Sequence, residues 1–154
     1  MDKFAHKLRD YIKTNGIDAE QLIFDRSCHS VEEAAQAAQV QPEDFVKNIC
    51  LIDADGNLIV AIVKGEDRVS TKRVGKALGI EPPEIATPDQ ILALSGYPCG
   101  GVPSFGYKAR FLIDPRVLEK DVVYTGGGSE NSLVRIAPNK LITANNGEVV
   151  RIHR

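Results

Sequence analysis

One lysine lies within an otherwise apolar stretch. Lys47 falls in the segment FVKNICLI, where the alternation of a strand places it on the same face as Phe45, Ile49 and Leu51. A lysine is costly to bury without a partner, so its ammonium group must reach a pocket, a carboxylate or solvent. Apolar walls also lower the pKa of a lysine, which suits a catalytic role. From these residues alone, a strand-edge lysine whose side chain extends to water is the alternative.

Two glycine-rich loops offer a second kind of chemistry, hydrogen-bond donation from main-chain amides. In the first loop, SGYPCGGVPSFGYK, Gly100 and Gly101 lie between Pro98 and Pro103. Glycine leaves room for a ligand oxygen to approach such amides. The second loop, TGGGS at 125–129, directly follows the apolar segment DVVY. A connection that needs glycine only for its shape or mobility explains either loop equally well.

The first loop comes close to the pattern of a nucleotide phosphate loop, but its flanks do not fit. That motif needs a strand before it, a helix after it, and a lysine directly after the second glycine. Here the preceding ILALSGY has a helical pattern, the following ARFLID has a strand pattern, and Tyr107 separates Gly106 from Lys108. The sequence therefore argues against a nucleoside triphosphate site.

Other catalytic patterns are missing from the sequence. There is no C-x-x-C pair and no metal-ligand spacing, so we expect no metal, no cofactor and reduced, mostly buried thiols. No Ser-His-Asp or Cys-His set is evident, so we expect no covalent acyl-enzyme. The residues concerned are Cys28, Cys50, Cys99, His6, His29 and His153.

Hydrophobic periodicity and turn residues predict the elements that position these groups. Helices are expected at the start of the chain up to Gly16, after a capping box at Ser30–Glu33, over 70–79, from Thr87, and from Ala137. Strands are expected at QLIFDR, on both sides of DADGN, and at ARFLID, DVVYTG, SLVRIA and GEVVRI. The run LIVAIV has no polar face and should form a central strand covered on both sides. We predict a mixed α/β fold in a single domain, 1–154, with a curled mixed β-sheet or open barrel surrounded by helices.

Composition and charge limit the partners. The 154 residues carry a formal net charge of −2, so the whole molecule is not a general nucleic-acid binder, and DNA is not an expected partner. Basic residues nevertheless cluster locally, which fits either a solvated face or a track for an RNA backbone. No apolar run approaches the ~20 residues of a membrane helix, and the charged start is not a signal peptide. We expect a cytoplasmic protein without membrane contact. The basic residues are Lys64, Arg68, Lys72, Arg73 and Lys76, with Lys108 and Arg110 beside the first loop.

The ordered set of segments resembles the YbaK/ProX family. The segments are VKNICLI, LIVAIV, RVGKALG, SGYPCGGVPSFG, YTGGG and IAPNKL, and together they extend from about Ser30 to Leu141. Members of this family are aminoacyl-tRNA deacylases related to the editing insertion domain of bacterial prolyl-tRNA synthetase.

The resemblance implies hydrolysis, in trans, of the ester of a mischarged tRNA, such as alanine or cysteine on the tRNA for proline. It implies Lys47 as the catalytic residue beside the ester and the 3′-terminal adenosine. It implies the acceptor end of tRNA as partner, with an aminoacyl-tRNA synthetase as a further one. A non-catalytic module of the same fold that binds tRNA or a synthetase is the alternative. Substrate-binding positions are implied at Gly100, Gly101, Ser104, Gly106, Gly127 and Gly128.

Three positions depart from the pattern of many relatives. Ser104 stands where they have a proline, and the proline here is Pro103. Asn48 replaces the threonine or serine that often follows the lysine, and Leu133 replaces an acidic residue of some relatives. We expect these departures to bear on which amino acid is removed and to leave the reaction class unchanged.

Overall fold

The computed structural model describes residues 2–154. Five α-helices alternate irregularly with eight strands. The helices are α1 (Lys3–Thr14), α2 (Val31–Ala38), α3 (Thr71–Leu78), α4 (Pro88–Ser95) and α5 (Pro138–Asn145). The strands are β1 (Ala19–Ile23), β2 (Val46–Ile52), β3 (Leu58–Lys64), β4 (Glu84–Ile85), β5 (Arg110–Ile113), β6 (Val123–Gly126), β7 (Ser132–Ile136) and β8 (Glu148–Val149).

The strands form two sheets. The larger sheet has the order β4-β2-β3-β5-β8 and is mixed, because β3 pairs parallel with β5 and β5 with β8, while β2 pairs antiparallel with β3 and β4. The smaller sheet, β1-β7-β6, is antiparallel. The mixed α/β prediction is confirmed, and the strands are divided between two sheets that do not close into a barrel.

Strand β3 lies at the centre of the larger sheet. Every residue from Leu58 to Lys64 is buried, as the continuous apolar run predicts for a strand covered on both faces. One face packs in the main core with Tyr97 and Phe105. The other face packs against Val74 of α3.

Local signals fix the helix ends where the sequence predicts them. Ser70 accepts a hydrogen bond from the Arg73 amide at the start of α3, and Gly79 ends that helix in the left-handed conformation. Thr87 and Gln90 form a full capping box at the start of α4. At Ser30 only half of the box forms, because the serine hydroxyl donates to the Glu33 carboxylate in place of the reciprocal main-chain bond.

The structure differs from the predicted elements at the edges of the larger sheet. The short strand β4 follows Pro83, where the sequence predicts only a linker. The terminal strand is two residues long, and the chain continues beside Val69 as an isolated bridge to His153. Such edge elements depend on their neighbours and carry little signal of their own.

The two sheets meet where β2 runs beside β6: Phe45 bridges Tyr124 just before β2 begins, and Asn48 donates a hydrogen bond to Thr125. Cys50 O accepts a hydrogen bond from Ala86 N on the β4 side. Main-chain groups point to alternate sides along a strand, so those of residues two apart point to the same side. The amide and carbonyl of Asn48 therefore point, like those of Cys50, to the edge of β2 that faces away from β3. By the same alternation Gly127 points to β7 and Gly126 points away from it, since Gly127 N donates to Ser132 O. Two strand edges with free main-chain groups therefore face the gap between the sheets.

Within residues 2–154, no helix is both long and apolar enough to cross a membrane.

Candidate active site

A cavity of about 190 Å³ lies in the gap between the two sheets. Residues of β2, of the end of β6, of the first glycine loop and of the start of α2 line it. The cavity therefore collects groups that are far apart in the sequence. They include Lys47 and Asn48 from β2, Thr125 and Gly126 from β6, Gly100 and Val102 from the loop, and His29, Val31 and Ala34 near α2.

Lys47 is half-buried at the wall of this cavity. Burial lowers the pKa of its ammonium group, Arg68 acts in the same direction, and the carboxylates of Asp67 and Glu32 oppose the shift. Both carboxylates act at a distance, since neither lies within 4 Å of the Lys47 nitrogen among the described residues. Lys47 thus presents a cation to the cavity that no ion pair holds in place.

A closed cycle of hydrogen bonds lies beneath the cavity and joins three elements. The Asn48 side-chain amide donates to Thr125 Oγ1 at 2.8 Å and to Val102 O at 2.9 Å. Ser104 Oγ donates to Asn48 Oδ1 at 2.7 Å and lies 2.7 Å from Thr125 Oγ1. With Thr125 donating to Ser104, all three side chains are satisfied. The cycle fixes β2, the first glycine loop and β6 relative to one another.

The first glycine loop approaches the cavity through Gly100. Pro98 to Gly101 form a turn closed by the bond from Gly101 N to Pro98 O at 3.0 Å, and Gly100 has a φ of +94°, as the third residue of such a turn requires. The His29 ring packs directly against the α-carbon of Gly100, where a side chain would overlap with it. The Gly100 amide donates to no atom of residues 2–154, so it is free to bind a ligand.

Of the other predicted binding residues, none lines the cavity in the part of the chain that the structure describes. Ser104 is buried below the cavity in the hydrogen-bond cycle, and Gly106 packs under Tyr11 of α1. Gly101, Gly127 and Gly128 lie where the two loops meet, with Gly128 N donating to Gly101 O at 2.8 Å. Their assignment as substrate-binding residues stays a prediction.

All three cysteines line the cavity, and two of them, Cys28 and Cys50, are neutral thiols. Burial raises the pKa of Cys50 to about 12, with a contribution from Cys99, and burial and Glu33 raise the pKa of Cys28 against the effect of Arg26. Since the thiolate is the nucleophilic form, neither of these cysteines is prepared for attack. Cys28 and Cys50 are buried as predicted, whereas Cys99 is exposed. No group of three or more His, Cys, Asp or Glu among residues 2–154 is arranged to hold a metal ion.

Sequence reasoning missed several lining residues. His29 lies just before the capping box and carries no signal of its own. Thr125 and Gly126 end an apolar strand, and only the sheet pairing shows that Gly126, and not its two glycine neighbours, faces the cavity. The signal that was available is Asn48, a second polar residue in the apolar strand of Lys47.

Known proteins share this fold. A solved structure described as "Crystal structure of a putative trans-editing enzyme for prolyl tRNA synthetase" superposes with a TM-score of 0.91, at 24% identity, covering 100% of this chain and 99% of that one. A proline–tRNA ligase of Syntrophus aciditrophicus is 29% identical over 110 residues, which are 71% of this chain and 19% of that protein. The chain thus spans about a fifth of that ligase. An Enterococcus faecalis protein named "Putative Cys-tRNA(Pro)/Cys-tRNA(Cys) deacylase EbsC" is 21% identical over 125 residues, covering 80% of this chain and 76% of that one.

The family model described as "Aminoacyl-tRNA editing domain" matches residues 25–144. The match includes Lys47, both glycine loops and the hydrogen-bond cycle below the cavity. It confirms the family that the ordered segments of the sequence indicate. The exact extent of the domain, 1–154, stays a prediction. The chain belongs to the aminoacyl-tRNA editing domain family.

Proposed function

We propose that this protein hydrolyses the ester bond of a mischarged aminoacyl-tRNA in trans, with the acceptor end of the tRNA in the cavity beside Lys47. The observation that carries this proposal is the combination of a half-buried, unpaired lysine and a free Gly100 amide at one cavity. The neutral thiols of Cys28 and Cys50 argue against either of these two residues as the nucleophile, and the proposed attack is by water.

The reaction needs charge stabilisation more than it needs a strong base. Attack of water on the ester carbonyl carbon places negative charge on the carbonyl oxygen. A cation and preorganised amide donors near that oxygen lower the barrier. In the proposed arrangement the Lys47 ammonium and the Gly100 amide supply these contacts. The bond between the carbonyl carbon and the ribose oxygen then breaks, the ribose oxygen takes a proton that originates from the water, and the free amino acid leaves.

The remaining glycines have a proposed role in shaping this site. The amides of Gly101, Gly127 and Gly128 already donate to protein carbonyls, so their part in substrate binding would be indirect. They allow the two loops and α1 to approach closely enough for Gly100 to reach the cavity.

The cavity wall favours a small uncharged amino acid. Val31, Ala34 and Leu133 contribute apolar surface, and the buried Cys28 thiol is neutral. A basic side chain would lose its hydration there without a partner, and an acidic one would compete with the ester oxygen for Lys47. Alanine and cysteine therefore remain the proposed substrates, and Leu133, in place of an acidic residue, is consistent with this choice.

A panel of mischarged tRNAs tests the proposal. Alanine, cysteine, serine and an acidic residue would each be attached to the tRNA for proline, and release of the amino acid would be followed with and without the protein. We expect faster release for alanine or cysteine and no effect on the acidic residue. If every tRNA is left intact but still binds, the chain is the non-catalytic module. If none binds, both functions are excluded.

A further inference from the structure

Five exposed basic residues lie on or next to two segments that are distant in the sequence and whose main chains pair with each other. Arg68 precedes α3, and Lys72 and Arg73 lie in the first turn of α3, while Arg151 and Arg154 belong to the last segment of the chain. Val69 bridges His153, and on either side Ser70 N donates to Ile152 O at 2.7 Å and Arg154 N donates to Arg68 O at 2.9 Å. Arg68 and Arg154 therefore stand directly opposite each other. We call Arg68, Lys72, Arg73, Arg151 and Arg154 the basic track.

A buried carboxylate holds the last segment in this position. Asp114 is fully buried and accepts hydrogen bonds from Ile152 N and His153 N at 2.9 Å, and from the His153 ring at 2.7 Å. Burial raises the pKa of Asp114, but the hydrogen bonds from Arg116, Ile152 and His153 outweigh it and leave the pKa below its ordinary value. Asp114 is thus ionised at neutral pH, and the track is preformed.

The basic groups of the track form no ion pair among the described residues. No carboxylate of residues 2–154 lies within 4 Å of any of its five basic groups. The neighbouring acids have other partners: Glu66 contacts Lys64 at 3.3 Å, and Asp67 contacts Arg116 at 2.9 Å. Lys64, part of the basic cluster in the sequence, is buried and does not contribute to the exposed surface. Like charges opposite each other on paired segments are destabilising unless an anion lies between them.

The track begins beside the cavity. Arg68 is near enough to Lys47 to influence its charge state, and Lys47 pairs with Val63 of β3, whose end leads into the loop that carries Arg68. A polyanion lying along the track would therefore reach the cavity at Lys47. The chain as a whole is acidic, with a net charge of −2, so this surface is a local exception.

We infer that the basic track binds the sugar–phosphate backbone of the RNA stem whose 3′ end enters the cavity. This inference rests on the proposed function. Arginine and lysine bind phosphates without reading sequence, so the track sets the position and direction of the stem and does not select one tRNA. The occupant is an RNA because an ester-bearing 3′ end at Lys47 brings the phosphates of its own strand and of the paired strand to adjacent surface.

The experiment measures binding of an RNA hairpin that carries the acceptor-stem sequence and the 3′ end, by fluorescence anisotropy at several salt concentrations. The test variant is Arg68→Gln/Arg154→Gln. The control is Lys13→Gln/Lys140→Gln, which removes the same charge from exposed positions on α1 and α5. We expect about tenfold weaker binding by the test variant and a plot of log K against log salt whose slope is shallower by about 1.4–1.8, as for two lost phosphate contacts. The control should retain wild-type affinity.

A second variant tests whether weaker binding by the first one comes from a folding defect. Lys72→Gln/Arg73→Gln changes only exposed side chains of α3, and we expect the same direction of effect. Equal hairpin affinity of the wild type and both track variants would overturn the inference.

A second substrate separates this inference from the proposed function. An aminoacyl ester of adenosine has no stem and should be hydrolysed equally by the wild type and by Lys72→Gln/Arg73→Gln, while hydrolysis of the aminoacylated hairpin by this variant falls at limiting RNA. If the variants bind the hairpin as well as the wild type does and the wild type is active, the role of the track in RNA binding is refuted and the proposed function stands. If the wild type hydrolyses neither substrate, the proposed function is wrong, and hairpin affinity alone then decides on the track.

Discussion

The two glycine loops have similar composition but different surroundings. In the first loop, Gly100 lies at the cavity with a free amide, and the atom that would obstruct a side chain there belongs to the exposed His29 ring. In the second loop, a side chain on Gly127 would overlap with the main chain of Ser132 and Leu133, and the Gly127 amide is already bonded. Glycine in the second loop allows close packing of backbones, and at Gly100 it exposes an amide to a ligand.

The largest effect is expected from Gly127→Ala. The added methyl group meets main-chain atoms, which cannot move without breaking the β6–β7 pairing. We expect a loss of about 3 kcal/mol or more in the free energy of unfolding, measured by urea denaturation. Gly56→Ala is the matched control, since Gly56 has a φ of +81° but open space around it, and should cost only about 1–2 kcal/mol. Equal costs for the two variants would refute the packing role of the second loop.

Asn48→Ala tests the cycle that joins the two loops. It removes both donors to Val102 O and Thr125 Oγ1 and the acceptor of Ser104 Oγ. Because the two hydroxyl side chains are buried, we expect a loss of about 1–3 kcal/mol in unfolding free energy. Asn57→Ala, in the exposed β2–β3 turn, is a comparison outside the site. An unchanged unfolding free energy in Asn48→Ala would mean that other contacts hold the loops together.

Gly100→Ala should separate activity from stability. The His29 ring is more than half exposed and can turn away, so the main cost is the positive φ, about 1–2 kcal/mol in unfolding free energy. The methyl group would also fill the approach to the Gly100 amide and slow ester hydrolysis. Stability by denaturation and single-turnover hydrolysis would be measured on the same preparation. A stability loss as large as that of Gly127→Ala would remove the distinction between the loops.

The smallest effect is a shift in the pH dependence of hydrolysis. Burial lowers the pKa of Lys47 from its ordinary value of 10.5, and the proposed role needs the ammonium form. After subtraction of uncatalysed hydrolysis, the rate should be constant below the lowered pKa and fall as pH rises through it, with a midpoint below 10.5. In Lys47→Arg the remaining activity should persist to higher pH, because arginine stays protonated. A fall in Lys47→Arg at the same midpoint as in the wild type would assign the titration to another group.

Much of the fold follows from short-range signals in the sequence. The caps at Ser70 and Thr87, the glycine stops, and the apolar run of β3 predict their elements because each acts within a few residues. The arrangement in two sheets does not follow, since it depends on contacts between residues far apart in the sequence, such as Phe45 with Tyr124 and Asn48 with Thr125. The same limit applies to the site. Lys47 is evident as a charge in an apolar strand. The orientation of Gly126 toward the cavity depends on the register of β6 with β7. The position of Arg154 opposite Arg68 depends on the hydrogen bonds of Asp114.

The central claim is that Lys47 and the first loop form an ester-hydrolysis site, and the most direct measurement is single-turnover hydrolysis of alanine from the tRNA for proline by Lys47→Ala. Removal of one electrostatic donor predicts a rate about 100-fold below that of the wild type. Lys13→Ala, on the exposed face of α1, should keep the wild-type rate. The unfolding free energy of Lys47→Ala should stay within about 1 kcal/mol of the wild type, because the lysine has no ion pair to lose. An unchanged rate in a folded Lys47→Ala protein would contradict the account.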